Sequence, residues 1–412
     1  MGRTMYYAKR IQLITFIVDR RVDGEPWPTL QAYPKTGDRP WVQTYPYTQP
    51  IDLIEYCREF EYDHAVYTVN EYLTLDHSSR PDPDDTYYIV HIGWFDFALD
   101  YINLIDSRVI DLVKKNKFRI LWYYHEGDSP KRIKQRLDAL CELHSVNTNS
   151  YVFVTGNTAV DELRNFVHFV DHELLFYLRN KNDRKILKNS GSHEKVFTSL
   201  VRTHQWWRAT ALADLYRWSL LDNSYWSYNP AITVGNRVED CPIEINVLNI
   251  ADELNHFVAN GPYRADELTQ AEHNDHSITY MPHYTNSSCN IIFETLFDAD
   301  DSGGAFLSEK TFKPIKHGQP FVVVGCAGSL ELLRDLGYCV FDGIIENTYD
   351  TVEDNTLRWL YIRETLRQIK RSDLTEFRAR CREGVEHNQQ VFLRSKWDRL
   401  NILFRKISNN DQ

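Results

Sequence analysis

"FRILWYYHEGDSPKRIKQRLDALCELHSVNTNSYVFVTGN" occupies residues 118–157 and sets two runs rich in β-branched and aromatic residues on either side of a segment with helical periodicity. Ser129 and Pro130 stand where an N-cap and a first-turn residue belong, so the middle segment reads as a helix. A helix between two strands carries the chain back to the edge it left, and the strands therefore run parallel. Upstream, "TYYIVHIG" (86–93) and the helical "SRVIDLVKKN" (107–116) continue the alternation, while the near-continuous apolar run "IQLITFIVD" (11–19) reads as a buried first strand. The proline-rich stretch between Pro26 and Pro50 can hardly be helix and reads as a long loop. Together these elements predict a doubly wound, Rossmann-like α/β domain.

The second half repeats the theme. "SCNIIFET" (288–295), "PFVVVG" (320–325) and "YCVFD" (338–342) read as strands, with the helix "GSLELLRDLG" (328–337) between the last two. The polar segment "NKNDRKILKNSGSHEK" (180–195) reads as a connection, so two α/β domains are expected, 1–185 and 186–412, facing across a cleft at the carboxyl ends of their sheets. A length of 412 residues agrees with two domains rather than one.

Composition narrows the function. A net charge of -11 is the wrong sign for affinity based on phosphate neutralisation, so nucleic acid is an unlikely partner, and the basic runs "KKNKFR" and "RNKNDRKILK" read as solvated surface. Seven cysteines without a CxxC indicate neither a disulfide framework nor a zinc ribbon, and a reducing cytoplasm fits best. The apolar stretch near the N-terminus is too short to span a membrane.

The candidate chemistry lies at the end of the strand "SCNIIFET". There a glycine-bearing loop leads to Ser308, Glu309 and Lys310 at the start of a helix that precedes "QPFVVVG". Unpaired N–H groups and partial positive charge at a helix start favour phosphate, Lys310 adds a full charge, and the Glu309 carboxylate can accept from the two hydroxyls of a ribose. Gly325 and Gly328, in "GCAGSLELL", offer further backbone N–H groups before a helix. "FDADD" (Asp298, Asp300, Asp301) and "DPDD" (Asp82, Asp84, Asp85) have the Asp-x-Asp spacing of a manganese-dependent sugar transferase but read as solvated loops. "HFVDHELLF" puts His168 and His172 one helical turn apart without the glutamate of a zincin, and reads as an amphipathic helix; "HNDH" (His273, His276) reads as a loop.

The stretch "CNIIFETLFDADDSGGAFLSEKTFKPIKHGQPFVVVG" (289–325) resembles the signature of the α-1,3-fucosyltransferase family. In that family an apolar strand ends in Phe-Glu-Asn, a loop leads to Tyr-x-Thr-Glu-Lys, and a helix with a glycine precedes a proline-containing strand. The resemblance implies a GT-B fold and gives Glu309 and Lys310 the family's role of binding a GDP-sugar donor, with Glu294, Phe306, Ser308 and Gly325 around them. Phe306 stands in place of the tyrosine, Ser308 in place of the threonine, and Thr295 in place of the asparagine.

Two further stretches join the resemblance. "FTSLVRTHQWWRATALADLYRWSLLDNSYWSYN" (197–229) has a strand, a turn and a helix beginning near an arginine, as in the family, where that arginine contacts the donor pyrophosphate; Arg208 fits best and Arg202 next. "ILWYYHEGDSP" (120–130) resembles the family's Trp-x-x-Glu-Ser-Pro, with a Gly-Asp inserted, and implies Glu126 as the base that deprotonates the acceptor, with Asp128 and His125 as alternatives. The expected protein is thus an inverting glycosyltransferase that takes a nucleotide-diphosphate sugar, with no metal, and a glycan or other hydroxyl-bearing acceptor. A DNA-base-modifying glycosyltransferase and a non-catalytic nucleotide-sugar binding protein are the alternatives.

Overall fold

The structure, a computed structural model, describes residues 13–18, 20–22, 25–27, 52–92, 95–180, 194–201, 203–230, 237–265, 281–298 and 303–408. The chain divides into two compact units. The first comprises Met1–Phe169 with Ser395–Gln412, and the second comprises Val170–Arg394.

The first unit contains strands β1 (Ile14–Val18), β2 (Arg20–Val22), β3 (Glu25–Trp27), β4 (His64–Thr68), β5 (Thr86–Ile92), β6 (Arg119–Tyr124), β7 (Tyr151–Thr155) and β8 (Phe166–His168). Its helices are α1 (Asp52–Glu59), α2 (Val69–Thr74), α3 (Ser107–Lys114) and α4 (Pro130–Leu143). Six strands form one sheet in the order β4-β1-β5-β6-β7-β8, every pairing parallel, while β2 and β3 make a separate antiparallel pair. Because β1 lies between β4 and β5, and parallel crossovers are right-handed, the connections on the two sides of β1 run over opposite faces; the sheet is doubly wound.

Register explains the burial. Tyr88, Val90 and Ile92 of β5 and Ile120, Trp122 and Tyr124 of β6 join one apolar cluster, which α3 and α4 complete with Val109, Val113, Ile133 and Leu137. Side chains alternate along a strand, so Tyr87, Ile89 and His91 point to the other face beside Leu121 and Tyr123.

The second unit holds α5 (Asp171–Arg179), β9 (Lys195–Leu200), α6 (Trp206–Arg217), β10 (Tyr225–Ser227), α7 (Ile245–Leu248), α8 (Ala251–Ala259), α9 (Met281–Thr285), β11 (Ser287–Phe293), α10 (Glu309–Lys316), β12 (Phe321–Val324), α11 (Ser329–Asp335), α12 (Asn355–Arg371) and α13 (Leu374–Leu393). Its sheet runs β10-β9-β11-β12, again all parallel and again with the first strand between the second and third. The final helix, α14 (Trp397–Ser408), belongs to the first unit, where Phe404 packs on Phe16 and Tyr62 at ring separations of 6.1 and 4.8 Å.

Three expectations need correction. The boundary falls before α5 rather than within 180–195, of which 181–193 lie outside the described residues. The reason is packing: Glu173 accepts from the Tyr338 hydroxyl at 2.5 Å, Phe176 packs on Phe392, and Lys316 Nζ donates to Asn180 at 2.8 Å, so α5 belongs with the second sheet. "HFVDHELLF" is not one helix, since Phe166–His168 pairs with Phe153–Thr155 as a strand and only then does α5 begin. "YCVFD" forms no strand; Phe341 turns into the left-handed region at φ 64°, and only a bridge from Asp342 to Ile345 remains. "DPDD" is a short 3-10 turn capped by Asp82, as its reading as a solvated loop required. No helix among the described residues is long and apolar enough to cross a membrane.

Candidate functional site

In the second unit the crevice at the topological switch point lies at the carboxyl ends of β9 and β11, because the connections leaving these neighbours diverge. Helix α6 follows β9, and the segment from Glu294 to Ser308 links β11 to α10. Arg208, on the first turn of α6, is 4% exposed. Its Nη2 donates to the Glu294 carbonyl at 2.5 Å and Nη1 donates to the Thr203 carbonyl at 3.4 Å. The guanidinium also stacks on Trp207, whose ring lies against Phe293 and Phe297.

Glu294 itself is fully buried. Its carboxylate accepts from Ser308 Oγ at 2.6 Å, Thr311 Oγ1 at 2.5 Å and the Ser308 and Thr295 backbone N–H groups at 3.2 Å. Those bonds fix the start of α10: Ser308 is the N-cap and Thr311 sits in the first turn. Lys310 then reaches back. Its Nζ lies 3.1 Å from Ser308 Oγ, 3.2 Å from Glu309 Oε1 and 3.4 Å from Thr295 Oγ1. Arg208 and Lys310 therefore converge on the junction of Glu294 and Thr295, one at the carbonyl of the first residue and the other at the hydroxyl of the second.

Exposure separates the roles. The Lys310 side chain is 34% exposed, whereas that of Glu309 is 10% exposed and lies 3.8 Å from His172 Nδ1 on α5. Phe306 is 1% exposed with its ring edge-on to His172, so it is a packed core ring rather than a platform for a base. Gly325 closes the floor: a Cβ there would stand 3.3 Å from Glu294 Cβ and 3.1 Å from Ser329 Oγ. Of the expected donor set, Arg208, Ser308 and Gly325 touch Glu294, Lys310 reaches Ser308 beside it, and Glu309 and Phe306 lie against His172, while Arg202 lies outside the described residues, as do Asp300 and Asp301 beside the described Asp298.

Two features were missed in the sequence. His172 was read only within an amphipathic pattern, and nothing local to it points to Glu309. Arg358, 1% exposed, donates to the backbone carbonyls of Gly325, Val352, Glu353 and Phe297, tying both loops at the sheet's carboxyl edge to the start of α12. Burial lowers its pKa from the usual arginine value.

The helix after Gly328 behaves differently from expectation. Asp350 occupies its N-terminus, its two oxygens accepting from the N–H groups of Leu330 at 2.9 Å and Glu331 at 3.0 Å, so these donors are not open to phosphate. Asp350→Ala should destabilise the second unit by about 1–2 kcal/mol, the worth of a cap, while leaving nucleotide affinity unchanged. Thermal unfolding with and without nucleotide measures both.

In the first unit, His125, Glu126 and Asp128 follow β6. His125 Nδ1 lies 3.2 Å from His91 Nε2 on β5, and His125 Nε2 lies 3.6 Å from Glu126 Oε1. Asp128 turns the other way and accepts from the Tyr124 hydroxyl, whose pKa burial and the adjacent carboxylate raise well above its usual value. The loop between them is tied down by Asn157 Nδ2 donating to the Gly127 carbonyl at 2.8 Å and by Thr155 Oγ1 donating to the Glu126 carbonyl at 3.2 Å. Glu126, with a side chain 30% exposed, faces solvent more than His125 at 13%.

No family model matches the chain, and no curated protein matches it. Among solved structures, a UDP-forming α,α-trehalose-phosphate synthase from Burkholderia xenovorans aligns over 80% of this chain and 75% of its own, at 11% identity and a TM-score of 0.41.

Proposed function

We propose that the protein is a GT-B-type glycosyltransferase that moves a sugar from a nucleotide-diphosphate donor to a hydroxyl acceptor with inversion. The second unit binds the donor and the first supplies the base. The observation that carries this reading is the convergence of Arg208 and Lys310 on the Glu294–Thr295 junction, at the switch point of a parallel sheet and beside a helix start. A diphosphate leaving group gains negative charge as its bond to the anomeric carbon breaks. Lys310 reaches it directly, while the buried Arg208 supplies fixed positive charge from behind the backbone carbonyl it holds. Glu309 accepts from the ribose hydroxyls.

In the transfer step the acceptor oxygen forms the new bond to the anomeric carbon as the carbon–phosphate-oxygen bond breaks. The nucleoside diphosphate leaves with that electron pair, and the hydroxyl proton passes to Glu126. Charge neutralisation falls to Arg208 and Lys310, so turnover in the presence of a chelator is the expected behaviour. A GDP-linked sugar is the first donor to try, on the strength of the resemblance described above.

Calorimetry with GDP, UDP, ADP and CDP tests the reading. One diphosphate should bind, and mass spectrometry of acceptor extracts incubated with the matching nucleotide sugars should show a mass gain of one sugar. Glu126→Gln should bind that diphosphate normally and transfer about 10²–10⁴-fold more slowly. A protein that binds none of the four diphosphates is not the enzyme proposed here.

A further inference from the structure

His91 was not among the expected site residues, and its place in the fold gives it a defined task. Strands β5 and β6 align His91 with Tyr123, and the two-residue alternation puts His91, Tyr123 and His125 on one face of the sheet, away from the main apolar cluster. The imidazoles of His91 and His125 lie 5.3 Å apart between centroids, with a nitrogen of each 3.2 Å from a nitrogen of the other. The far nitrogen of His125 approaches the Glu126 carboxylate at 3.6 Å.

Two facing ring nitrogens form a hydrogen bond only if one carries the proton and the other does not. The carboxylate decides which. At 3.6 Å the carboxylate is beyond hydrogen-bond range, but its charge favours a hydrogen on Nε2 of a neutral His125, which leaves Nδ1 as the acceptor and makes His91 Nε2 the donor. We infer that His91 is a positioning residue: its Nε2–H fixes His125 in the Nε2–H tautomer, with the hydrogen on the nitrogen nearer Glu126. Burial, with the neighbouring His125 adding to it, lowers the His91 pKa to about 3, so His91 stays a neutral imidazole with one proton to place.

The consequence rests on the reading of Glu126 as the acceptor-side base. A hydrogen on the ring nitrogen nearest its carboxylate holds Glu126 in orientation for the incoming hydroxyl proton, much as an orienting group fixes a catalytic imidazole elsewhere. The proton order itself stands apart from that reading.

Long-range ¹H–¹⁵N correlation spectra of protein labelled at histidine, with the His125 signals assigned by their loss in His125→Asn, read the tautomer directly. The wild type should show His125 as a single neutral Nε2–H form. His91→Gln, which retains an N–H donor near the Nε2 position, should keep that form, and a folded His91→Phe should lose it to a mixture. An Nδ1–H form in the wild type overturns the inference, as does an unchanged single tautomer in folded His91→Phe. Should His91→Phe not fold, the wild type and His91→Gln still decide the matter: loss of the Nε2–H form in a folded Gln protein counts against the donor role. In a transfer assay, His91→Phe should lower kcat by at least roughly tenfold at unchanged donor KM, and His91→Gln should recover most of it. If no diphosphate binds while the tautomer pattern holds, the proposed activity falls and the proton order survives.

Discussion

Glu294→Ala is expected to lower the melting temperature of the second unit by about 6 to 20 °C, the largest stability effect of any single substitution around this site. The carboxylate has no exposed surface and accepts from the Thr295 N–H just past β11 and from the Ser308 N–H, the Ser308 hydroxyl and the Thr311 hydroxyl at the buried start of α10. Removing it leaves the Ser308 and Thr295 N–H groups and two hydroxyls facing a cavity, and each unsatisfied buried donor costs about 1–3 kcal/mol. Some of these groups will find water or one another, so a net loss of about 3–5 kcal/mol is the reasonable expectation, comparable to removing one partner of a buried charged network. At about 2–4 °C per kcal/mol for a unit of this size, the stated shift follows. Glu294→Gln should fall between the two, since its oxygen can still accept while its amide nitrogen opposes N–H groups. Differential scanning calorimetry, with the two units resolved or fitted separately, provides the measurement. A shift under 2 °C in the alanine protein would mean that the carboxylate organises nothing, contrary to its four bonds.

The surroundings of Glu294 show where the sequence is readable and where it stops. The strands were legible because a parallel sheet buries both faces, and runs such as "FRILWYY" and "PFVVV" have no other soluble use. Helix starts were legible too: Pro130 and Ser308 are local signals, and α4 and α10 begin at them. What could not be read depends on partners far along the chain. Nothing local to a glutamate at the end of an apolar strand shows that Ser308 and Thr311 donate to it. The strand His64–Thr68 is an unremarkable run that exists because β1 offers it an edge. His91 meets His125 only through the register of β5 on β6. Conversely, "YCVFD" has strand composition but no neighbour to pair with beyond one bridge, and composition cannot supply an edge.

Lys310→Ala should weaken the bound nucleoside diphosphate by about 10- to 100-fold, the worth of one charge-assisted contact, while leaving the melting temperature nearly unchanged. The second half of that expectation follows from exposure: the side chain is one third exposed, and its partners Ser308 and Glu309 keep other contacts when it goes. Arg208 differs, because its guanidinium is buried against Trp207 and holds the Glu294 carbonyl, so Arg208→Lys is the gentler probe: it retains the charge and removes the fork. The double variant distinguishes a shared ligand from two unrelated cations. If both groups act on one diphosphate, the two losses will not add, and the interaction energy should exceed about 0.5 kcal/mol. If the losses add within that margin, Lys310 and Arg208 serve different ends despite meeting at the same peptide junction. Salt offers a second reading of the same question. Binding of the diphosphate to the wild type should weaken as ionic strength rises, since an exposed lysine is screened, and Lys310→Ala should show a shallower dependence. A nucleoside without phosphates should bind the wild type and Lys310→Ala alike, because the lysine then has no partner to lose.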